Sequence, residues 1–249
     1  MKNFFVNQLT VAFIAISALF TSCYMSCDCK CNCVDDNLRF VTQTSDPSDF
    51  RCGAFSIAYY QWLKAGKTYS SNEAADYAVV DAIYYQIKFG NLYNAVAVTG
   101  MGTHNMSGAS SPLNMLHYIV NQSLNTGAEF FIDDSNPAMN DIYNAIRTND
   151  GELLASYSSK LKTGGIPTLR IGQYAIVVFL ISMPNGAPVD LHWVLFYRNS
   201  NGYEFYDPFF GTALSATESQ MKGSEPILVT YPGFGDRILT SMNSCLLLP

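Results

Sequence analysis

Two periods of apolar and polar positions divide this chain. In the first half apolar residues recur at helical spacing. Phe55, Ala58, Tyr59, Trp62 and Leu63 define the buried face of a helix that Asp49 can cap, that holds Cys52 in its first turn, and that stops at Gly66. A second helix follows Ser70-Ser71-Asn72-Glu73 and carries Tyr77, Val80, Ile83 and Ile87 as far as Gly90. Residues Gly100 to Pro112 are rich in breakers and have no period, so they read as a loop, one that borders a cleft. Beyond it the pattern predicts a helix from Leu113 to about Leu124, a short strand at Glu129 to Ile132, a helix entered at Asn136-Pro137 and running to Ile146, and helix again over Glu152 to Leu161. After Gly164-Gly165-Ile166-Pro167 the character changes. Tyr174 to Ile181, Leu191 to Tyr197, Tyr203 to Tyr206 and Ile227 to Tyr231 are strand-like runs, with a hairpin turn at Asn199-Ser200-Asn201-Gly202. The prediction is an α+β fold, with a helical N-terminal half facing an antiparallel sheet in the C-terminal half.

The start of the chain stands apart from this pattern. Lys2, the apolar run from Val11 to Phe20 and the small residues Thr21-Ser22 form a secretory signal pattern over residues 1–22, too short for a membrane span. Leu19-Phe20-Thr21-Ser22-Cys23 resembles a bacterial lipobox, in which cleavage before the cysteine leaves it lipid-modified, although Phe20 departs from the usual aliphatic residue. The resemblance implies a membrane anchor at Cys23; ordinary signal cleavage is the alternative. Cys27, Cys29, Cys31 and Cys33 follow at every second position. Neighbouring pairs in an extended chain have the wrong geometry for disulfides. An exposed tether over residues 23–39 is the simpler reading, and thiolate binding of a soft metal is the other. The globular domain is then 40–249.

Composition narrows the function. The chain has 249 residues, enough for one substantial core, and its sixteen Tyr and sixteen Phe mostly serve that core. A net charge of −6 excludes the basic face that nucleic acid requires. With three histidines and no HExxH run, a zinc hydrolase is not indicated, and Gly100-Met101-Gly102 alone is not a dinucleotide fingerprint. His104 and His117 are read as surface and helix-face residues, Asp133-Asp134 as a solvated turn, and Cys245 as a packing residue beside Leu246, Leu247 and Leu248.

Chemistry is concentrated at three residues. A thiol at Cys52 receives backbone N–H groups and the positive end of a helix dipole, which favour thiolate. His192 starts a strand and Asp207 ends the next, fifteen positions on (207 − 192), so a hairpin at Asn199 to Gly202 sets carboxylate beside imidazole. Each residue alone has an ordinary explanation: a small buried hydrophobe, a core histidine, a turn opener. Their order and contexts together point to a Cys-His-Asp triad. Cys52-Gly53-Ala54-Phe55-Ser56, with Ala58 and Tyr60, resembles the nucleophile helix of papain-like cysteine peptidases, closest to the C39-like branch. His192-Trp193-Val194 and Gly202-Tyr203-Glu204-Phe205-Tyr206-Asp207-Pro208, with Gly211, resemble that branch's histidine and Asp-Pro strands. The resemblance implies a papain-like fold with Cys52 as nucleophile, His192 as general base and acid, and Asp207 as its orienter. It also implies a glutamine about six residues before the nucleophile as oxyanion donor. Asp46 stands there, so the donor is Gln43, nine before (52 − 43), if the loop between bulges, or Ser48.

The expected protein is an exported, lipid-anchored, monomeric cysteine hydrolase. It acts on a peptide or protein substrate through a thioacyl-enzyme and needs no metal or organic cofactor. The same triad serves acyl transfer in transglutaminase-like proteins and hydrolysis in peptidoglycan amidases, and a surface binding protein can keep the fold without the chemistry.

Overall fold

The first helix, α1 (Cys52–Lys64), is buried along both faces from Cys52 to Tyr60 and again at Trp62. A helix apolar all round belongs inside a protein, and this one lies within the core of the described residues. The computed structural model describes residues 40–43, 49–66 and 73–249. The signal pattern, Cys23, the Cys27 to Cys33 run, Asp46 and Ser48 lie outside the described residues.

On one side α1 packs against α2 (Glu73–Ile87), which in turn packs on α3 (Pro112–Asn121), and α4 (Pro137–Asn149) packs with the short α5 (Gly151–Ser156) that follows it. Ser111 and Asn136 cap α3 and α4 with their side chains, each followed by a proline in the first turn. The segment Gly100 to Pro112 is not all loop, since Val96–Val98 (β1) and Gly102–His104 (β2) form a small antiparallel hairpin.

The other side of α1 rests on an eight-stranded sheet. Its strands are β3 (Glu129–Ile132), β4 (Leu161–Thr163), β5 (Tyr174–Ser182), β6 (Pro188–Asn199), β7 (Gly202–Tyr206), β8 (Ala213–Ala216), β9 (Ile227–Tyr231) and β10 (Gly235–Leu248). The order is β4-β3-β10-β5-β6-β7-β8, with β9 also paired to β10. Pairing is antiparallel except between β3 and β4. A short helix α6 (Glu218–Met221), closed by a capping box at Thr217, lies between β8 and β9. Because β5 and β6 are covered on both faces, they read as continuous apolar runs. Ile176, Val178, Trp193 and Leu195 join the core shared with the helices, while Val177, Phe179, Val194 and Phe196 join a second core closed by Ile227, Val229, Tyr231 and Leu239.

Several expectations need correction. Strand β10, the longest, was not legible because Ser241 to Ser244 interrupt its apolar pattern. Here the register shifts and Asn243 takes a φ of 51°, a bulge that lets β10 pair with β9 at one end and β3 at the other. Asp133 is not a simple solvated turn: it accepts from Asn243 Nδ2 (3.1 Å), and its N–H donates to Ser244 Oγ (2.8 Å), pinning that bulge. Residues 152 to 161 are helical only to Ser156, pass through a 3-10 turn, and end in β4.

The segment 40–43 is laid beside the turn that follows β7. Phe40 N–H donates to Gly211 O (2.9 Å) and Gln43 N–H to Pro208 O (2.8 Å). Gly211 makes this approach possible, with a φ of 63° and space for a Cβ only 2.5 Å from Phe40 O. Gly211→Ala is therefore expected to lower stability by about 1–3 kcal/mol, read in chemical denaturation, through backbone strain and displacement of Phe40. An unchanged denaturation midpoint would contradict this docking.

Candidate active site

Cys52 opens α1, and its first turn has no side-chain cap. Asp49, the expected cap, is held elsewhere. Its carboxylate accepts from Arg51 Nε (2.7 Å) and Nη2 (2.9 Å) and from the Arg51 N–H (3.2 Å), while Arg51 also reaches Asp81. This two-pronged grip holds the carboxylate, and the N-cap residue, Arg51, makes no side-chain hydrogen bond to the first-turn N–H groups around Cys52.

The helix start is stitched to the histidine strand by buried polar contacts. Ser56, one turn into α1 and fully buried, donates to Trp193 O (3.2 Å). The Trp193 indole N–H donates to Ser110 O (3.1 Å), and Ser110 Oγ donates to Phe50 O (3.3 Å). The circuit passes from two residues before Cys52, through the Ser110 loop, to the residue after His192, and back into α1. Gly53 makes room for it, because a Cβ there would lie 2.5 Å from Ser110 Cβ and 3.0 Å from Met115 Sδ.

The imidazole of His192 is 2 % exposed, and its Nε2 lies 2.9 Å from Asp207 Oδ1. A carboxylate only accepts, so Nε2 carries the hydrogen. Cys52 lines the same cleft as the imidazole and adds to its hold on a proton, and with Nε2 committed to Asp207, Nδ1 is the nitrogen left for the thiol. Burial alone would lower the pKa of His192. The charge and hydrogen bond of Asp207, with Cys52 adding to them, outweigh burial and raise it to about 10.

Asp207 has no exposed surface, yet both carboxylate oxygens are occupied. Oδ1 also accepts from the Phe209 N–H (3.0 Å), and Oδ2 accepts from the Tyr231 hydroxyl (2.7 Å). The Phe209 ring lies nearly parallel to the imidazole at 5.1 Å, and Tyr231 meets it edge-on at 6.4 Å. Tyr231 thus acts on the triad through Asp207, and burial with Asp207's charge pushes its hydroxyl pKa up, keeping it a donor. Sequence reasoning placed Tyr231 in a strand and gave it no role. No motif announces it, because β9 reaches the site only by pairing with β10.

Gln43 comes to the same place, nine residues before Cys52 notwithstanding. It is 6 % exposed, its Nε2 donates to Asp49 O, and its Oε1 has no hydrogen-bond partner among the described residues. Nε2 carries a second hydrogen, for which no acceptor is found among the described residues.

These side chains line one cleft of about 1060 Å³, counting space open to solvent. The helical half contributes Gln43, Cys52, Phe89, Met106, Met139 and Ile142; the sheet half contributes Val178, Ile181, His192, Phe209, Tyr231 and Phe234. The loop before α3 borders it, as its composition suggested. His104 is not merely a surface residue: its Nε2 lies 3.4 Å from Asp190 Oδ1, and both line the cleft. His117 keeps to its helix face, near Asn121 and Tyr157. Cys245 is fully buried, and burial pushes its thiol pKa up. Among the described residues no cluster of three or more His, Cys, Asp or Glu side chains is placed to hold a metal ion, and no helix is long and apolar enough to cross a membrane. No family model matches the chain, and no curated protein matches it in sequence.

The raised pKa of His192 has a consequence for stability. An unfolded histidine titrates near about 6.5, so the folded state gains from the imidazolium fully below that pH and loses the gain as pH rises through about 10. Denaturation of wild type and His192→Gln should give a stability difference that shifts steadily against the wild type from pH 6.5 to pH 10. A difference independent of pH would contradict the His192–Asp207 ion pair.

Proposed function

We propose that the protein is a cysteine hydrolase that cleaves a peptide or other amide bond through a thioacyl-enzyme, on a papain-like architecture closest to the C39-like branch. The observation that carries the reading is the buried Asp207–His192 pair lining one open, largely apolar cleft together with Cys52 at the start of α1. Export and a lipid anchor at Cys23 belong to the same proposal and rest on the sequence alone.

In this reading the His192 imidazolium is the counter-charge of a Cys52 thiolate. Sγ attacks the substrate carbonyl carbon, and the carbonyl electron pair moves onto oxygen. The N–H groups of the first turn of α1 and the Gln43 amide stabilise that oxyanion. Nδ1–H of His192 then protonates the departing amine, the C–N bond breaks, and a thioester remains on Cys52. Neutral His192 next takes a proton from water, whose oxygen attacks the thioester; the C–S bond breaks, the acid leaves, and Cys52 thiolate and His192 imidazolium are restored. Asp207 keeps Nε2 protonated and the ring oriented throughout.

The test is an acid quench of the protein during turnover of a panel of fluorogenic peptide amides, followed by intact-mass and peptide mapping. An acyl adduct on Cys52 is expected, with Cys52→Ala lowering kcat/KM by about 10³-fold or more. An added primary amine that captures the acyl group would identify transfer rather than hydrolysis. Turnover that survives in Cys52→Ala, or a panel that yields neither product nor adduct, would overturn the reading.

A further inference from the structure

The charges lining the cleft do not balance in one place. Asp49 is neutralised by Arg51, Asp190 faces His104 and accepts the Leu191 N–H (2.7 Å), and Asp207 is matched by His192. Among the described residues Arg237 has no such partner. It is the one lysine or arginine among the described lining residues, and its guanidinium makes a single hydrogen bond, from Nη1 to Asp236 O (2.8 Å). It stands on β10 opposite Val229, half-buried, in the part of the cleft built by Tyr231 and Phe234. Cys52, Tyr231 and Arg237 line the same cleft, and Tyr231 lies within electrostatic reach of both of the others.

A guanidinium presents five donors in a planar fork that matches a carboxylate, and it is more weakly hydrated than an ammonium. Set among apolar walls with four donors uncommitted, it gains from an anion that water only partly replaces. The chain as a whole carries a net charge of −6. Long-range steering therefore opposes anionic ligands, and any preference for them must arise from this local contact.

We propose that Arg237 is the carboxylate-recognising point of the cleft: a bound substrate presents an acidic side chain or a free C-terminal carboxylate to its guanidinium while the reacting carbonyl lies at Cys52. This rests on the hydrolase reading of Cys52 and names the substrate class within it. Asp190, an anion in the same cleft but tied to His104, sharpens the discrimination, since a carboxylate bound near it instead would be repelled.

The experiment uses the full chain and four chloroacetyl dipeptides. They are chloroacetyl-Leu-Asp-amide, its Asn counterpart, and chloroacetyl-Leu-Leu with a free or an amidated C-terminus. In each, Cys52 Sγ displaces chloride and forms a thioether, so the second-order rate is read by mass spectrometry without a known substrate. At least one carboxylate probe should react roughly tenfold faster than its amide, the equivalent of about 1.4 kcal/mol. Arg237→Gln should bring that probe down to the rate of its amide, and Arg237→Lys should keep part of the preference. Preference for the Asp probe would assign an acidic side chain, and preference for free Leu-Leu a C-terminus. If the neutral probes label Cys52 in a His192-dependent manner but carboxylates confer no advantage, or if the advantage survives Arg237→Gln, the proposal is overturned and the hydrolase reading stands. If labelling of Cys52 is indifferent to His192, both fall together.

Discussion

A carboxylate with no exposed surface must be matched or it does not stay charged, and the site is built around meeting that demand at Asp207. Three donors converge on it from three different stretches: His192 from β6, Phe209 from the turn after β7, and Tyr231 from β9. An unpaired carboxylate here would cost several kcal/mol. The same interactions that satisfy it fix the tautomer of His192 and make its imidazolium the favoured form. The requirement to pair a buried charge and the fixing of the His192 ring in one tautomer and orientation are met by one set of hydrogen bonds.

That constraint propagates into the fold. For β9 to deliver Tyr231, β10 must turn from β9 toward β3 along one of its edges, which is the task of the bulge at Ser241 to Cys245 and of Asp133 and Asn243 that hold it. For Cys52 to meet His192, α1 must be fixed against β6, and the circuit through Ser56, Trp193, Ser110 and Phe50 does this with groups that would otherwise be buried without partners. The cleft lies where these two fixed halves meet, and its apolar walls are the ends of their cores.

The sequence was most readable where one local rule decides the outcome. Strand β3 and strand β9 fall at the residues their patterns predict, and the hairpin at Asn199 to Gly202 follows from its turn residues, with Asn199 paired to Gly202. Cys52, His192 and Asp207 come together because two of them are linked by that hairpin and the third opens a helix of strong periodicity. The failures share a cause: the deciding partner was distant. Asp49 loses its cap role to Arg51, whose second carboxylate, Asp81, lies thirty positions away. Gln43 reaches the cleft through backbone pairing with Pro208 rather than through its spacing from Cys52. Gly53 looked like part of a motif, but its necessity comes from Ser110, and Tyr231 gains its role only from Asp207. Strand β10 was hidden because its bulge residues, polar at Ser241, Asn243 and Ser244, break the period at the place where the sheet needs them.

The most direct measurement is the rate of alkylation of Cys52 by iodoacetamide at pH 6.5, site-resolved by mass spectrometry, in the wild type and in His192→Gln. Cys245, buried and with its thiol pKa pushed up, serves as an unreactive internal reference. If the imidazolium held by Asp207 sustains a thiolate, the wild-type rate should exceed that of the variant by roughly tenfold or more, since an ordinary thiol is only a few per cent ionised near neutral pH. Equal rates in the two proteins would show that Cys52 and His192 do not form a working pair, and the account of this site as a nucleophilic centre would be wrong.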